Sequence, residues 1–231
     1  MNYHQYYQRA SSERPELLKL IGTDKDEESI PWGSTVLGLR YDRGVLIAAE
    51  TCAHSEWMPR FQNMDRVFKI SEQIIVGGGG DFGGIQKYKD TIDAQVIADR
   101  IYWAAFEMKP KTEDHTAVLI VVGGMDPKTG PYLSSIDCRG RIVEDYVVTT
   151  GPALEAVLPM VRNNKPKDRE FSEQEALAMI WKGMTGALHC PDAREIPSYT
   201  VGICSANGCH IEGPYRANKD WTHARHNEVM L

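Results

Sequence analysis

Ser34-Thr35-Val36-Leu37-Gly38-Leu39-Arg40-Tyr41, then Asp42-Arg43-Gly44, then Val45-Leu46-Ile47-Ala48-Ala49-Glu50, is the stretch whose reading decides the fold. Two short runs of β-branched and apolar residues flank a tight polar turn ending in glycine, which is the pattern of a β-hairpin. Before it, residues 1–32 are polar and charged, with Pro15, Pro31 and an acidic cluster at Asp24, Asp26, Glu27 and Glu28. They read as an extension, with a short helix over Pro15–Ile21 and a solvated acidic linker.

After the hairpin, Val67–Ile70 and Ile74–Val76 read as a second pair of strands. Gly77–Gly80 then opens a long helix, Phe82 to Phe106, with Ile85, Tyr88, Ile92, Val96 and Ile97 or Ile101 on one face. Lys111–His115 is a loop and Thr116–Val122 a strand; Asp126–Gly130 turns the chain into Tyr132–Ile136, and Arg139-Gly140 turns it into one strand over Ile142–Thr149. Pro152 takes the first turn of a helix running to Val161, and Ser172-Glu173-Gln174-Glu175 forms a capping box for a second, with Leu177, Ile180, Trp181 and Met184 inward. Tyr199–Cys204, a turn at Asn207-Gly208, and His210–Glu212 close the pattern. Hairpins with helices inserted in two blocks predict an α+β domain with two sheets face to face and helices outside, a four-layer α-β-β-α sandwich.

The 231 residues suit a single domain of this kind, and 42% hydrophobic with 25% charged residues is ordinary for a globular protein. A net charge of −6 with no basic face speaks against a general nucleic-acid partner. The five cysteines, Cys52, Cys138, Cys190, Cys204 and Cys209, are an odd number without a C-x-x-C pair, which predicts reduced thiols in the cytoplasm or nucleus. No apolar run approaches the roughly 20 residues that span a bilayer, and Met1–Ala10 has no apolar core of a signal peptide. The expectation is a soluble intracellular protein with no membrane partner.

Gly33-Ser34, followed by Glu50 and Arg66, has the layout of a self-processing nucleophile whose chemistry is altered. Such a site needs a hydroxyl that becomes the free N-terminus, a lysine that eases loss of its proton, and a carboxylate that holds the lysine. The cation here is Arg66, which keeps its proton at any working pH and supplies charge without relaying protons. Glu50 and Arg66 also read simply as a salt bridge joining two strands under a sheet.

Gly33–Gly38, Val45–Glu50 and Gly77-Gly78-Gly79-Gly80-Asp81 together resemble the β subunits of the 20S proteasome. Arg60–Asn63, Asp65-Arg66-Val67, Gly80-Asp81-Phe82 and Asp192-Ala193-Arg194 look like a non-catalytic member in particular. The resemblance runs from Gly33 to Trp221. It implies the N-terminal nucleophile hydrolase fold, a propeptide-like extension over 1–33, a β-type domain over 34–221 and a C-terminal tail over 222–231. As partners it implies the other α and β subunits of a four-ring, 28-subunit hetero-oligomer. By the same resemblance, the nucleophile's place falls on Ser34, the aspartate's on Glu50, the lysine's on Arg66 and the oxyanion glycine's on Gly80. A supporting aspartate falls on Asp192, and supporting serines on Thr150 and Glu195. These are positions of a degenerate site: no catalytic residue, cofactor or metal is expected.

Rival readings remain. An active Ser34 hydrolase would use the new α-amine as proton acceptor. A nucleotide-binding module would use Gly78, Gly80 and Gly83, which match G-x-G-x-x-G formally; that module needs a parallel sheet, whereas the glycines also suit close packing of a helix on a sheet. His189-Cys190 and Cys209-His210 lack the ligand spacing of a structural zinc.

Overall fold

The computed structural model describes residues 32–33, 35–55, 58–61, 63–81, 118–126, 128–136, 142–150, 153–188 and 198–216. The opening hairpin forms as read: β2, Val36–Tyr41, pairs antiparallel with β3, Gly44–Glu50, with Tyr41 opposite Gly44 across the Asp42-Arg43 turn. Preceding it is a two-residue strand, β1, Trp32–Gly33, and following it a small hairpin of β4, Ala53–Ser55, and β5, Met58–Phe61. Three of these strands were not legible in the sequence, being too short to show a period. β6, Val67–Lys69, and β7, Ile74–Asp81, form the next pair, followed by β8, Val118–Asp126, and β9, Gly130–Ile136.

The single strand expected over Ile142–Thr149 is two. β10, Ile142–Glu144, pairs with β9, while β11, Val147–Thr150, pairs with β2 in the other sheet. The chain changes sheets at Asp145-Tyr146, where the Asp145 carboxylate accepts the Tyr146 N–H at 2.7 Å and the Tyr146 carbonyl accepts the Arg40 N–H at 2.8 Å. One run of strand-forming residues, interrupted by Glu144-Asp145, thus serves two sheets. Helices α1, Ala153–Asn164, and α2, Glu173–Leu188, precede the final hairpin of β12, Ser198–Ser205, and β13, Gly208–Arg216.

The strands make two antiparallel sheets: an eight-stranded one in the order β10-β9-β8-β7-β1-β4-β5 with β6 beside β7, and a five-stranded one in the order β11-β2-β3-β12-β13. Alternation along β2 and β3 sorts side chains between two cores. Val36, Val45, Ile47 and Ala49 meet Val67, Ile75, Val121 and Leu133 between the sheets, while Leu37, Leu39, Leu46 and Ala48 meet Val157, Val161, Ala176, Ile180 and Met184 of the helices. A third cluster, Phe68, Ile74, Val76, Ile120, Val122 and Ile136, lies on the outer face of the larger sheet. The α+β sandwich of the N-terminal nucleophile hydrolase type is thus the fold. The helix expected over 82–106 lies outside the described residues.

Close sheet packing needs missing side chains. A Cβ on Gly77 would stand 2.6 Å from Ile47 Cγ2 and 2.9 Å from Val36 Cγ1. The glycine run is therefore in a strand, paired antiparallel on its neighbours β1, β6 and β8. That removes the parallel sheet on which the nucleotide-binding reading depended; Gly83 lies outside the described residues.

The capping box closes as expected: Ser172 N–H donates to Glu175 Oε2 at 2.9 Å and Glu175 N–H to Ser172 Oγ at 3.4 Å. The inward face of α2 differs from the reading. Ile180 and Met184 are buried with Ala176 and Met179, but Leu177 and Trp181 are 36% and 51% exposed. Positions 176, 179, 180, 183 and 184 follow the helical period, and 177 and 181 sit about 100° round from them.

The cysteine expectation is also corrected. Cys204 and Cys209 are disulfide-bonded, because the register of β12 and β13 sets them directly opposite each other, while Cys52 is free and buried. Cys138 and Cys190 lie outside the described residues.

Candidate functional site

Of the positions singled out from the sequence, Glu50, Arg66 and Thr150 lie around the end of β3. Glu50 is its last residue, and two bonds lock it against the start of β2: Glu50 N–H donates to the Thr35 carbonyl at 3.2 Å, and Thr35 N–H donates to Glu50 Oε1 at 3.2 Å. The Glu50 carboxylate therefore holds the backbone immediately after Ser34. Next along, Val36 N–H donates to Thr150 Oγ1 at 3.1 Å, so β11 fixes the following residue.

On the other side of Ser34, Trp32 and Gly33 are strand β1, inserted between β7 and β4. Gly33 lies opposite Gly80, and Trp32 opposite both Asp81 and His54. Gly80 has φ +95°, a left-handed backbone that glycine adopts without the cost a Cβ imposes. Ser34, Asp192 and Glu195 lie outside the described residues, so the structure brings together Glu50, Arg66, Gly80 and Thr150 of the seven degenerate-site positions, and frames the place of Ser34 from both sides.

Arg66 comes in from the loop before β6. Its carbonyl accepts the Gly78 N–H at 2.9 Å, and Met64 N–H donates to the Thr51 carbonyl at 2.8 Å, which ties this loop to β7 and to the residue after Glu50. Arg66 is 0% exposed and heads the largest fully buried side chains; Glu50 is 2% exposed. Both charges act on the buried Cys52 thiol. Burial and then the Glu50 carboxylate push its pKa up, the Arg66 guanidinium pulls it down, and the net result is about 11. Cys52 is thus an inert thiol at neutral pH, since the thiolate is the nucleophile. Thr51 and Ser198 complete the corner: Thr51 N–H donates to the Ser198 carbonyl at 2.9 Å, and their hydroxyls are 2.5 Å apart.

Thr35, Thr51, Cys52 and Ser198 were missed in the sequence reading. Thr51 and Cys52 follow Glu50 directly, which is a usable signal; Ser198 is brought in only by the pairing of β12 with β3. No group of three or more His, Cys, Asp or Glu that could hold a metal occurs among the described residues. Cys209, one of the four residues weighed as zinc ligands, is committed to Cys204. No helix among the described residues is long and apolar enough to cross a membrane.

Among the described residues, Glu50 and Thr150 thus hold the backbone that follows residue 34, Gly80 pairs with the residue before it, and Arg66 is buried close by. The description "Proteasome subunit" matches residues 31–192. The chain belongs to the proteasome subunit family. It is 44% identical over 218 residues to proteasome subunit beta type-4 of Drosophila melanogaster, covering 88% of this chain and 81% of that one. It is 26% identical over 204 residues to proteasome subunit beta type-4 of Xenopus laevis, with 82% and 84% covered. To the probable proteasome subunit beta type-7 of Schizosaccharomyces pombe it is 27% identical over 215 residues, with 85% and 82% covered. This is a proteasome β subunit, homologous to the type-4 subunits, and it assembles with other proteasome subunits.

Within that family the geometry has a definite chemical consequence. A guanidinium at Arg66 cannot take a proton from a neighbouring hydroxyl. The Glu50 carboxylate already accepts a backbone N–H. Glu50 and Arg66 can hold charge and orient backbone, and Arg66 supplies a charge without relaying a proton.

Proposed function

We propose that this chain is a non-catalytic, structural β subunit of the 20S core particle, most like beta type-4. It supports ATP- and ubiquitin-dependent degradation of unfolded proteins by completing a seven-membered β ring. Its partners are the other α and β subunits of a four-ring, 28-subunit particle in the cytoplasm and nucleus, and the cleavage is done by other subunits. The observation that carries this reading is Arg66, fully buried where a proton-relaying lysine is required. The degenerate set is then Ser34, Glu50, Arg66, Gly80, Thr150, Asp192 and Glu195. The strand pairing of Trp32 and Gly33 supports it further, because the peptide before Ser34 is held on both sides.

One observation favours an active Ser34 hydrolase instead: Gly33, whose carbonyl would be attacked, lies opposite Gly80, whose N–H would hold the oxyanion. Intact mass and N-terminal sequencing of the chain from purified particles separate the two. The expected chain begins upstream of Ser34 and takes no adduct from an epoxyketone or boronate probe. A chain beginning at Ser34 and carrying the probe on that residue overturns the structural reading.

A further inference from the structure

β13 is an edge strand of the smaller sheet, as β11 is at the other side. Among the described residues it is hydrogen-bonded along one side only, to β12, and His210–Arg216 are exposed. The side-chain contacts of its far end are surface ones: Tyr215 Oη donates to Glu212 Oε2 at 2.7 Å, and the Tyr215 ring stands 5.7 Å from that of Tyr199. Its near end is different. Cys209 is buried, bonded to Cys204, and both pack between the sheets with Val45, Ile75 and Val121. The covalent tie therefore sits at the turn end, next to Gly208 with its φ of +107°.

We propose that Cys204–Cys209 is a redox-sensitive latch that holds the edge strand β13 on β12. In the oxidised chain the turn end of β13 cannot leave the sheet. A dithiol reductant opens the latch in two exchanges. One thiolate attacks a cysteine sulfur, the Cys204–Cys209 bond breaks and a mixed disulfide forms. The reductant's second thiolate then displaces the protein sulfur, so that the reductant ends as a disulfide and Cys204 and Cys209 as two protonated thiols. Burial adds a gate. Neither sulfur is reachable until β13 parts from β12, so the rate of reduction follows strand opening and levels off as reductant is raised. The same β12 carries Ser198 and Tyr199 at its other end, opposite Thr51 and Glu50, so latch and polar corner share one strand.

The test uses the full chain. Dithiothreitol reduction is followed by quenching with iodoacetamide and mass spectrometry of the peptide holding both cysteines, and amide hydrogen exchange is compared before and after. The expected results are no alkylation of Cys204 or Cys209 without reductant, one carbamidomethyl group on each after it, and a reduction rate that saturates. Exchange over 209–216 rises by about ten-fold or more on reduction, with β3 unchanged, in keeping with the loss of a cross-link across a locally opening unit. Cys209→Ser is expected to exchange like the reduced chain; should that variant not fold, the reduced wild type gives the same reading. Alkylation of both cysteines in the untreated native chain, or equal exchange of β13 in the two redox states, overturns the proposal.

Discussion

The middle of the sandwich and the corner at Glu50 share β3 and are built by opposite means. In the middle, β2, β3 and β7 meet through apolar side chains and through the missing one at Gly77, so volume decides the fit. At the corner the end of β3 supplies a buried carboxylate, the loop before β6 a buried guanidinium, and β11, the residue after β3 and β12 the hydroxyls of Thr150, Thr51 and Ser198. There, charge and donor count decide. The middle tolerates apolar exchange of equal volume, and the corner tolerates a change only if the groups left behind still have partners.

Arg66→Met is the hardest blow to this contrast. It leaves the Glu50 carboxylate buried without the nearby cation, and is expected to cost about 3–5 kcal/mol in urea unfolding. The double variant Arg66→Met with Glu50→Gln should recover part of that loss. If the single variant costs nothing, the corner is not an electrostatic unit. Gly77→Val tests the middle, where the added carbons run into Ile47 and Val36. A loss of about 1–3 kcal/mol is expected from overpacking. Thr150→Val keeps the volume and removes the acceptor of the Val36 N–H; about 1–2 kcal/mol should go with a buried donor left unmet.

Smaller effects sharpen the boundary. The Cys52 thiol, raised to about 11, should resist iodoacetamide in the folded chain at neutral pH and react once unfolded. The α2 capping box lies outside both regions and should respond to acid alone. The Arg169 fork, at 2.6 and 2.7 Å, and the Ser172 N–H hold the Glu175 pKa down from 4.5 to about 2. A depressed carboxylate contributes stability above its ordinary pKa and loses it as pH falls toward the folded value. Melting curves of Glu175→Gln should thus sit slightly below wild type at neutral pH and converge with it in acid.

Local chemistry was readable in the sequence, and long-range register was not. The Asp42-Arg43 hairpin, the capping box and the Asp126 turn all form where their residues demand. In the last, the Asp126 carboxylate accepts the N–H groups of Lys128 and Thr129 at 2.8 and 3.0 Å. Glu50, Arg66 and Thr150 were legible through family resemblance, which carries position but no contacts. The pairing of Cys204 with Cys209 follows from a strand register that composition does not contain. The break at Asp145 depends on the other sheet, and the exposure of Leu177 and Trp181 shows that an apolar residue need not mark the inward face of its helix.

β1 has a mechanical consequence out of proportion to its two residues. In the larger sheet β7 is bonded to β1 and β1 to β4, with β5 beyond. Trp32 and Gly33 are thus the keystone through which the β4–β5 hairpin is hydrogen-bonded to the rest of that sheet. Remove them and the sheet parts into two pieces, each with a raw edge facing the gap. The segment that looks disposable, because it precedes the domain, is what closes the wall.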